Sequence, residues 1–184
     1  MGKQFVLFML FSIAVMAQAN GFATKKWFPN IFKGKEKVTQ LQLYVQDILH
    51  GPRPSTIPVA MANSTSTSPT LFGLLAVLDD PVRTGPTPDA EIVGRAQGLF
   101  AYVSLEEISI HMTFDLVFTS GVYNGSTLNL LGRNPYPRDY RELSVVGGSG
   151  AFRLARGFVG VRTVSFNRRS GDVFFQYNIT VSHY

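Results

Sequence analysis

One carboxylate early in the sequence stands where an apolar side chain is expected. Along residues 41–49 every second residue is apolar, including Leu43 and Val45, but Asp47 takes the next place in this series before Leu49. Alternate residues of a strand share one face, so Asp47 lies on the face that should point inward. A buried carboxylate either pairs with a cation or has a raised pKa, and both conditions favour acid–base chemistry in a cavity. The alternative is that the strand ends early and Asp47 reaches solvent.

Three arginines are the natural partners for such a carboxylate. Arg95, Arg141 and Arg156 all lie in or beside apolar runs, where a guanidinium must find a hydrogen-bond acceptor. Each of them could anchor an anion or a phenol, or could form a structural ion pair. For Arg95 and Arg156 the sequence favours the structural ion pair.

Other chemistries have less support. The chain has no cysteine, which removes thiolate nucleophiles, disulfides and cysteine metal sites. His50, His111 and His183 share no metal-ligand spacing, so no metal site is expected. The run Gly147-Gly148-Ser149-Gly150 lacks the Lys-Ser/Thr of a phosphate loop and is interpreted as a tight turn. Because no nicotinamide, flavin or haem signature occurs either, no cofactor is expected.

The elements that would position these residues are strands. From Val38 onward the apolar period is two, most clearly in the last run, where Val173, Phe175 and Tyr177 alternate with polar residues. Nine β-rich runs are predicted: 38–49, 56–62, 71–79, 92–103, 110–119, 125–132, 142–147, 152–166 and 172–183. Turn signals such as Asp79-Asp80-Pro81 separate them. The pattern predicts an all-β domain, either a closed barrel of eight or nine antiparallel strands or a sandwich, and a barrel of this size can hold one small ligand.

The net charge of +5 is concentrated near the N-terminus. Residues 20–37 hold five lysines against Glu36, whereas residues 38–184 hold eleven arginines and eleven acids. A nucleic-acid-binding surface needs cations clustered on a folded face, so a nucleic-acid partner is not expected.

The first residues are typical of a secretory leader. Lys3 precedes an apolar run from Phe5 to Ala17, and the small-x-small pattern predicts cleavage after Ala19. The run is shorter than the roughly 20 residues that a transmembrane helix needs. We therefore predict a signal peptide over 1–19, a basic flexible arm over 20–37, one domain over 38–184, and secretion to the cell exterior.

Three Asn-x-Ser/Thr sequons agree with secretion. They begin at Asn63, Asn124 and Asn178, and each is a candidate glycosylation site.

Six motifs then give the sequence a family resemblance. They occur in one order along residues 38–184: Tyr44-Val45-Gln46-Asp47-Ile48-Leu49, Leu78-Asp79-Asp80-Pro81, Val93-Gly94-Arg95-Ala96-Gln97-Gly98, Tyr123-Asn124-Gly125-Ser126-Thr127-Leu128, Gly132-Arg133-Asn134-Pro135, and the run from Arg141 to Gly157. With these motifs the chain resembles the plant dirigent proteins.

The resemblance implies a fold and an activity. The fold is an eight-stranded antiparallel barrel with a central cavity, usually in a homo-oligomer such as a dimer or trimer, secreted to the apoplast. The activity is stereoselective coupling of monolignol-type phenoxy radicals, as in lignan formation. A separate laccase or peroxidase supplies the radicals, and coupling is controlled by the orientation of two bound rings.

The resemblance also implies site residues. The cavity acid of the family falls on Asp47 and its cavity arginine on Arg141, which are thus candidate catalytic residues. Aromatic positions that contact substrate fall on Phe100, Tyr102 and Phe175.

One departure from the family pattern bears on the substrate. Pinoresinol-forming members have a second cavity Asp where this chain has Asn134, a further candidate for substrate binding, and they also have a cysteine pair that is absent here. Both differences resemble the subgroup that includes pterocarpan synthases.

Three functions follow from the resemblance. Radical coupling is the leading hypothesis. The first alternative is a lyase that dehydrates an isoflavanol through a quinone methide with Asp47 as the acid. The second is a module that binds a phenolic without changing it.

Overall fold

The computed structural model describes residues 34–169 and 171–184, of which Glu36–Tyr184 form one compact unit. Within this part the chain forms nine strands: β1 (Lys37–Asp47), β2 (Thr56–Met61), β3 (Leu74–Arg83), β4 (Ile92–Tyr102), β5 (Ile110–Phe118), β6 (Thr127–Asn134), β7 (Arg141–Ser149), β8 (Arg156–Phe166) and β9 (Val173–His183). Each predicted run overlaps one of these strands.

The sheet closes on itself. All neighbouring strands are antiparallel, in the order β1-β9-β8-β7-β6-β5-β4-β3-β2, and β1 also pairs with β3 through Tyr44 opposite Arg83 and Val45 opposite Val82. Eight strands therefore form a closed barrel, and β2 is an extra strand on the free edge of β3. The predicted eight-stranded antiparallel barrel is confirmed, and the sandwich is excluded because the ring of strand pairs is continuous.

The interpretation of Asp79-Asp80-Pro81 as a turn was wrong, because all three residues lie inside β3. Proline is tolerated here because its nitrogen faces a gap in the pairing. The N–H of Asp79 donates to the carbonyl of Ser55, just before β2, at 2.8 Å. Pro81 has the same parity as Asp79, so its nitrogen points to the same edge, where β2 has ended and the pairing with β1 begins only at Val82.

The tight turn assigned to residues 147–150 is also displaced. Strand β7 continues to Ser149, and the chain turns at Gly150, whose φ is +59°. A Cβ at Gly150 would lie 2.5 Å from the Ser126 hydroxyl oxygen, so both conformation and space require glycine.

One end of the barrel is filled by aromatic packing. Phe152, in the short 3-10 turn Gly150–Phe152, is fully buried, and its ring centroid lies 4.7 Å from that of Tyr123 and 5.4 Å from that of Phe118. His183 lies against the same ring at 5.1 Å. This packing closes one end, so a ligand must enter from the other.

The predicted leader 1–19 and most of the predicted arm 20–37 lie outside the described residues. Among the residues that are described, no helix is long and apolar enough to cross a bilayer.

Candidate functional site

A cavity of about 460 Å³ occupies the end of the barrel opposite Phe152. Its walls are the C-terminal ends of β1, β4, β6 and β8 and the N-terminal ends of β2, β5 and β9, because antiparallel strands present alternate ends to the same mouth. The volume is in the range of small-molecule sites. Apolar side chains form most of the floor: Val45, Leu78, Ala96, Ile110, Met112 and Phe114.

Aromatic rings form one wall. Phe100 and Tyr102, on the same face of β4, meet edge to face at 6.1 Å between centroids, and Tyr136, after β6, meets Tyr102 at 6.2 Å. The hydroxyls of the two tyrosines lie 3.4 Å apart. Burial, followed by this hydrogen bond, raises the pKa of Tyr102. The tyrosine therefore stays protonated and available as a hydrogen-bond donor.

Asp47 lines the cavity at the end of β1, on the face that the alternation predicted. Its Oδ1 is shielded from solvent and has no hydrogen-bond partner among the described residues. Burial raises the pKa of Asp47 to about 6; a hydrogen bond with Thr56 opposes the shift, and the charge of Asp172 adds to it. This is the environment expected of an acid–base group.

Asp80 places a second carboxyl in the same cavity. It lies on β3 and is 5% exposed. Burial and then the charge of Asp47 raise its pKa to about 8. The sequence contains the signal that could have found it, since Ala76, Leu78, Asp80 and Val82 form the inward set of β3 in the way that Asp47 belongs to the inward set of β1. The turn interpretation of Asp79-Asp80-Pro81 hid that alternation.

Two hydroxyls connect these carboxyls to the barrel. Ser55 donates to Asp80 Oδ1 at 2.5 Å and accepts from the backbone N–H of Ile48, the residue after Asp47, at 2.9 Å. The Thr56 hydroxyl lies 3.4 Å from the same Asp80 oxygen, and hydrogen bonding from Thr56 lowers the pKa of Asp47. The end of β1, the start of β2 and the middle of β3 thus hold both carboxyls on one side of the cavity.

Arg141 is buried beside two residues of the cavity wall, Asn134 and Phe175. Its Nε donates to Asn134 Oδ1 at 3.2 Å, its Nη1 donates to the Arg138 carbonyl at 3.1 Å, and its Cζ lies 5.7 Å from the centroid of Phe175. Nη2 is buried without a partner among the described residues. Burial lowers the pKa of Arg141, but a guanidinium stays charged.

The structure therefore brings the predicted site residues together. Asp47, Phe100, Tyr102, Asn134 and Phe175 all line the cavity, and Arg141 contacts two of them. Asn134, at 4% exposure, orients Arg141 and also contacts the sulfur of Met112 at 3.2 Å. The catalytic and binding roles of these residues stay predictions.

Arg95 and Arg156 lie away from the cavity. Arg95 pairs with Asp79 at 2.8 Å on the outer face of the barrel, and this bond lowers the pKa of Asp79. Arg156 pairs with Glu36 at 2.5 Å. Both are exposed ion pairs, as the sequence favoured.

The three sequon asparagines lie at exposed positions. Asn63 and Asn124 are in connections between strands. Asn178 is in β9, where its Oδ1 accepts from Gln42 Nε2 at 3.0 Å. Their glycosylation stays a prediction.

Comparison with known proteins identifies what this barrel is similar to. A family model described as "Dirigent-like protein" matches residues 38–182. Dirigent protein 21 of Arabidopsis thaliana is 39% identical over 170 residues, which is 92% of this chain and 90% of that protein. Pterocarpan synthase 1 of Glycyrrhiza echinata is 40% identical over 151 residues, 82% of this chain and 80% of that protein.

Solved structures agree with the sequence comparison. Two structures of pterocarpan synthase dirigent proteins each match with a TM-score of 0.75 and 40% identity. Each match covers 82% of this chain, and they cover 87% and 99% of the solved chains.

Proposed function

The chain belongs to the dirigent family, and from this premise we propose that its barrel is a lyase that dehydrates an isoflavanol or a related phenolic alcohol through a quinone methide. The observation that carries this proposal is the carboxyl of Asp47, half-buried in an aromatic-walled cavity with a pKa raised to about 6. The pterocarpan synthases among its relatives support the substrate class.

A raised pKa suits Asp47 to acid catalysis. A benzylic hydroxyl is a poor leaving group unless it is protonated as the C–O bond breaks, and a carboxylic acid with a pKa near the working pH does this best. At an ordinary pKa, Asp47 would be ionised at pH 6 and would have no proton to give. Burial keeps it about half protonated at that pH.

The reaction balances as a net loss of water. Asp47 protonates the benzylic hydroxyl, the C–O bond breaks as electrons move in from the phenol ring, and the phenol proton is released to give a quinone methide. A second phenol oxygen of the same substrate then bonds to the electrophilic carbon and loses its proton, while the first phenol is re-protonated. One water leaves and nothing is oxidised or reduced.

Arg141 complements this chemistry by its charge. Negative charge develops on the phenol oxygen of the substrate as its proton leaves, and a buried cation stabilises such charge more strongly than water does. The unpaired Nη2 of Arg141 lies in the protein interior beside Phe175 and Asn134. We assign Phe175 to hold the substrate ring and Asn134 to orient the guanidinium.

Aromatic rings on both sides of the cavity favour a second candidate function. Phe100, Tyr102 and Tyr136 face it from β4 and the loop after β6, whereas Phe166 and Phe175 face it from β8 and β9. Two aromatic walls would suit two flat phenoxyl radicals held face to face, as stereoselective coupling requires. In that case a separate laccase or peroxidase supplies the radicals, and Asp47 assists ring closure of the coupled quinone methide.

One experiment separates these functions. Purified protein is incubated with separated isoflavanol stereoisomers without oxidant, and with coniferyl alcohol with and without laccase, and products are resolved by chiral chromatography. The lyase proposal expects oxidant-free loss of water from one stereoisomer, slowed by about 10²–10⁴-fold in Asp47→Asn. If enantiomerically enriched dimers of coniferyl alcohol form only with laccase, radical coupling would replace the lyase reaction as the function. If both substrates bind and the products do not change, the binding module would be the only function left of the three.

Secretion, glycosylation and assembly into a dimer or trimer belong to the same proposal. The leader pattern over 1–19, which predicts cleavage after Ala19, and the exposed sequons support secretion. Intact-mass measurement of the protein produced in plant cells, before and after glycosidase treatment, tests the leader and the glycans together.

A further inference from the structure

Two carboxyls share one wall of the cavity, although the acid chemistry proposed above uses only one. Asp80 is the more deeply buried of the two, and both line the same space as Tyr102 and Thr56. Nothing about the barrel requires an acid at Asp80, since Ala76, Leu78 and Val82 fill the equivalent inward positions of β3. An apolar residue there would avoid the cost of burying a carboxyl.

The hydrogen bonds around the pair provide a route for a proton. The hydroxyl of Thr56 lies 3.4 Å from Asp80 Oδ1, Thr56 and Asp47 line the same cavity, and hydrogen bonding from Thr56 lowers the pKa of Asp47. A hydroxyl has one proton and two acceptor lone pairs, so it can donate to one carboxyl while accepting from the other. Ser55 donates to Asp80 Oδ1 at 2.5 Å and fixes the position of that carboxyl.

We propose that Asp80 is the second acid of this cavity: it holds a proton that it exchanges with Asp47 through the Thr56 hydroxyl, so that the pair rather than Asp47 alone supplies the acid. The inference deepens the proposed lyase function and rests on it for the reaction, whereas the sharing of the proton can be measured without any reaction.

Charged and titratable neighbours from each adjacent strand act on this pair. On Asp80 they are the charge of Asp47, which opposes its ionisation, and the charge of Arg95 on β4, which favours it more weakly. On Asp47 the charge of Asp172, before β9, opposes ionisation. The phenol of Tyr177 on β9 stays neutral, because burial and the charge of Asp80 raise its pKa.

The pair therefore titrates in two steps. Below about pH 6 both carboxyls are protonated, and between about pH 6 and pH 8 one proton remains, mainly on Asp80. During turnover the proton given to the leaving hydroxyl is replaced by the one released from the second phenol. The pair ends each cycle as it began.

The first test titrates the carboxyls directly. The full chain is labelled with ¹³C at the aspartate carboxyl carbons, and their chemical shifts are followed from pH 3 to pH 9 in the wild type, in Asp47→Asn, in Asp80→Asn and in the exterior control Asp115→Asn. We expect Asp47→Asn to lower the pKa of Asp80, because it removes a like charge. We expect Asp80→Asn to leave the pKa of Asp47 near 6, because Asp80 is still neutral when Asp47 ionises.

Two outcomes would overturn the proton sharing. One is that both carboxyls titrate near 4 in the wild type, and the other is that the pKa of Asp80 is the same with and without Asp47. Should Asp80→Asn fail to fold, Ser55→Ala tests the same carboxyl by removing a hydrogen bond that lowers its pKa. In that variant the pKa of Asp80 must rise above that of the wild type.

The second test measures the pH profile of isoflavanol dehydration. A wild type that needs one protonated carboxyl loses activity as the pH rises through about 8, whereas Asp80→Asn loses it through about 6. The variant should therefore retain most activity at pH 5 and be about tenfold slower at pH 7. An equal loss of activity in Asp80→Asn at pH 5 and at pH 7 would contradict an acid role for Asp80. If no isoflavanol reacts, the lyase proposal fails while the carboxyl titration still decides the proton sharing.

Discussion

Burying Asp80 should make the barrel less stable as the pH rises, and replacing it by Asn should remove that dependence. The pKa of Asp80 is about 8 in the fold, against an ordinary value of 3.8. At any pH between these two pKa values, the carboxyl of Asp80 is ionised in the unfolded chain and protonated in the folded chain. The unfolded state then binds fewer protons, so the free energy of unfolding falls by about 1.4 kcal/mol per pH unit.

The size of the effect follows from the two pKa values. At pH 4 the unfolded carboxyl is only partly ionised, and Asp80 lowers the free energy of unfolding by less than about 1 kcal/mol. At pH 7 the same term is about 4 kcal/mol. Because Asn keeps a side-chain oxygen that can accept from Ser55, Asp80→Asn removes the titration and preserves the hydrogen bond. The wild type should thus lose about 4 kcal/mol more than Asp80→Asn between pH 4 and pH 7.

The assay is chemical unfolding at a series of pH values. Urea transitions of the wild type, Asp80→Asn and Asp115→Asn are measured in half-unit steps from pH 4 to pH 9, and the difference from the wild type is plotted against pH. The Asp80→Asn difference should grow up to about pH 8 and then level off. The Asp115→Asn control replaces a carboxyl on the outer face that accepts from Asn129 at 2.6 Å, and its difference should not follow this curve. Parallel stability curves for the wild type and Asp80→Asn would refute the assignment of Asp80 as a buried neutral acid.

Further predictions concern the site and the core. Asp47→Asn should lower the dehydration rate at pH 5 by about 10²–10⁴-fold while the substrate still binds, as measured by single-turnover kinetics and calorimetry; an unchanged rate would remove Asp47 as the acid. In Arg141→Lys the shorter set of donors cannot keep both the bond to Asn134 and the bond to the Arg138 carbonyl. We therefore expect kcat to fall about 10–100-fold, with the fold intact by circular dichroism. A kcat like that of the wild type would show that the guanidinium does not act on the reacting oxygen. Phe152→Ala should lower the free energy of unfolding, measured in urea, by about 3–5 kcal/mol, because the fully buried ring of Phe152 closes one end of the barrel. A loss under about 1 kcal/mol would mean that this end repacks.

Much of the barrel could be predicted from alternation alone. A strand with one buried face repeats every two residues, so β1, β5 and β9 were each visible as separate runs. The rule failed at β3, where a local turn signal was given more weight than the alternation that continues through it. Whether Pro81 interrupts a strand depends on whether its nitrogen has a partner on the next strand, and that is a property of the assembled sheet.

The candidate site was only partly visible for the same reason. Asp47 was found because its neighbours in sequence are apolar. Arg141 was one of three arginines in or beside apolar runs, and the family resemblance then singled it out. Asn134 and Phe175 were found through the resemblance. Thr56, Tyr136 and Tyr177 were not found. Short polar or aromatic residues in strands and loops are common on any barrel, and no local pattern distinguishes those that face the cavity.

The sequence by itself determined an all-β chain of about nine strands and the inward direction of Asp47, because side-chain direction in a strand is a local property. Only the tertiary structure decided which charges share the cavity. Closure pairs Tyr44 and Val45 of β1 with Arg83 and Val82 at the C-terminal end of β3. Asp80 thus comes to line the same cavity as Asp47 and Thr56. Arg95, in an apolar run of the same sequence, pairs instead with Asp79 on the outer face. Burial and the neighbouring charge then raise the pKa values of the two acids, and both depend on distances that exist only after the barrel has closed.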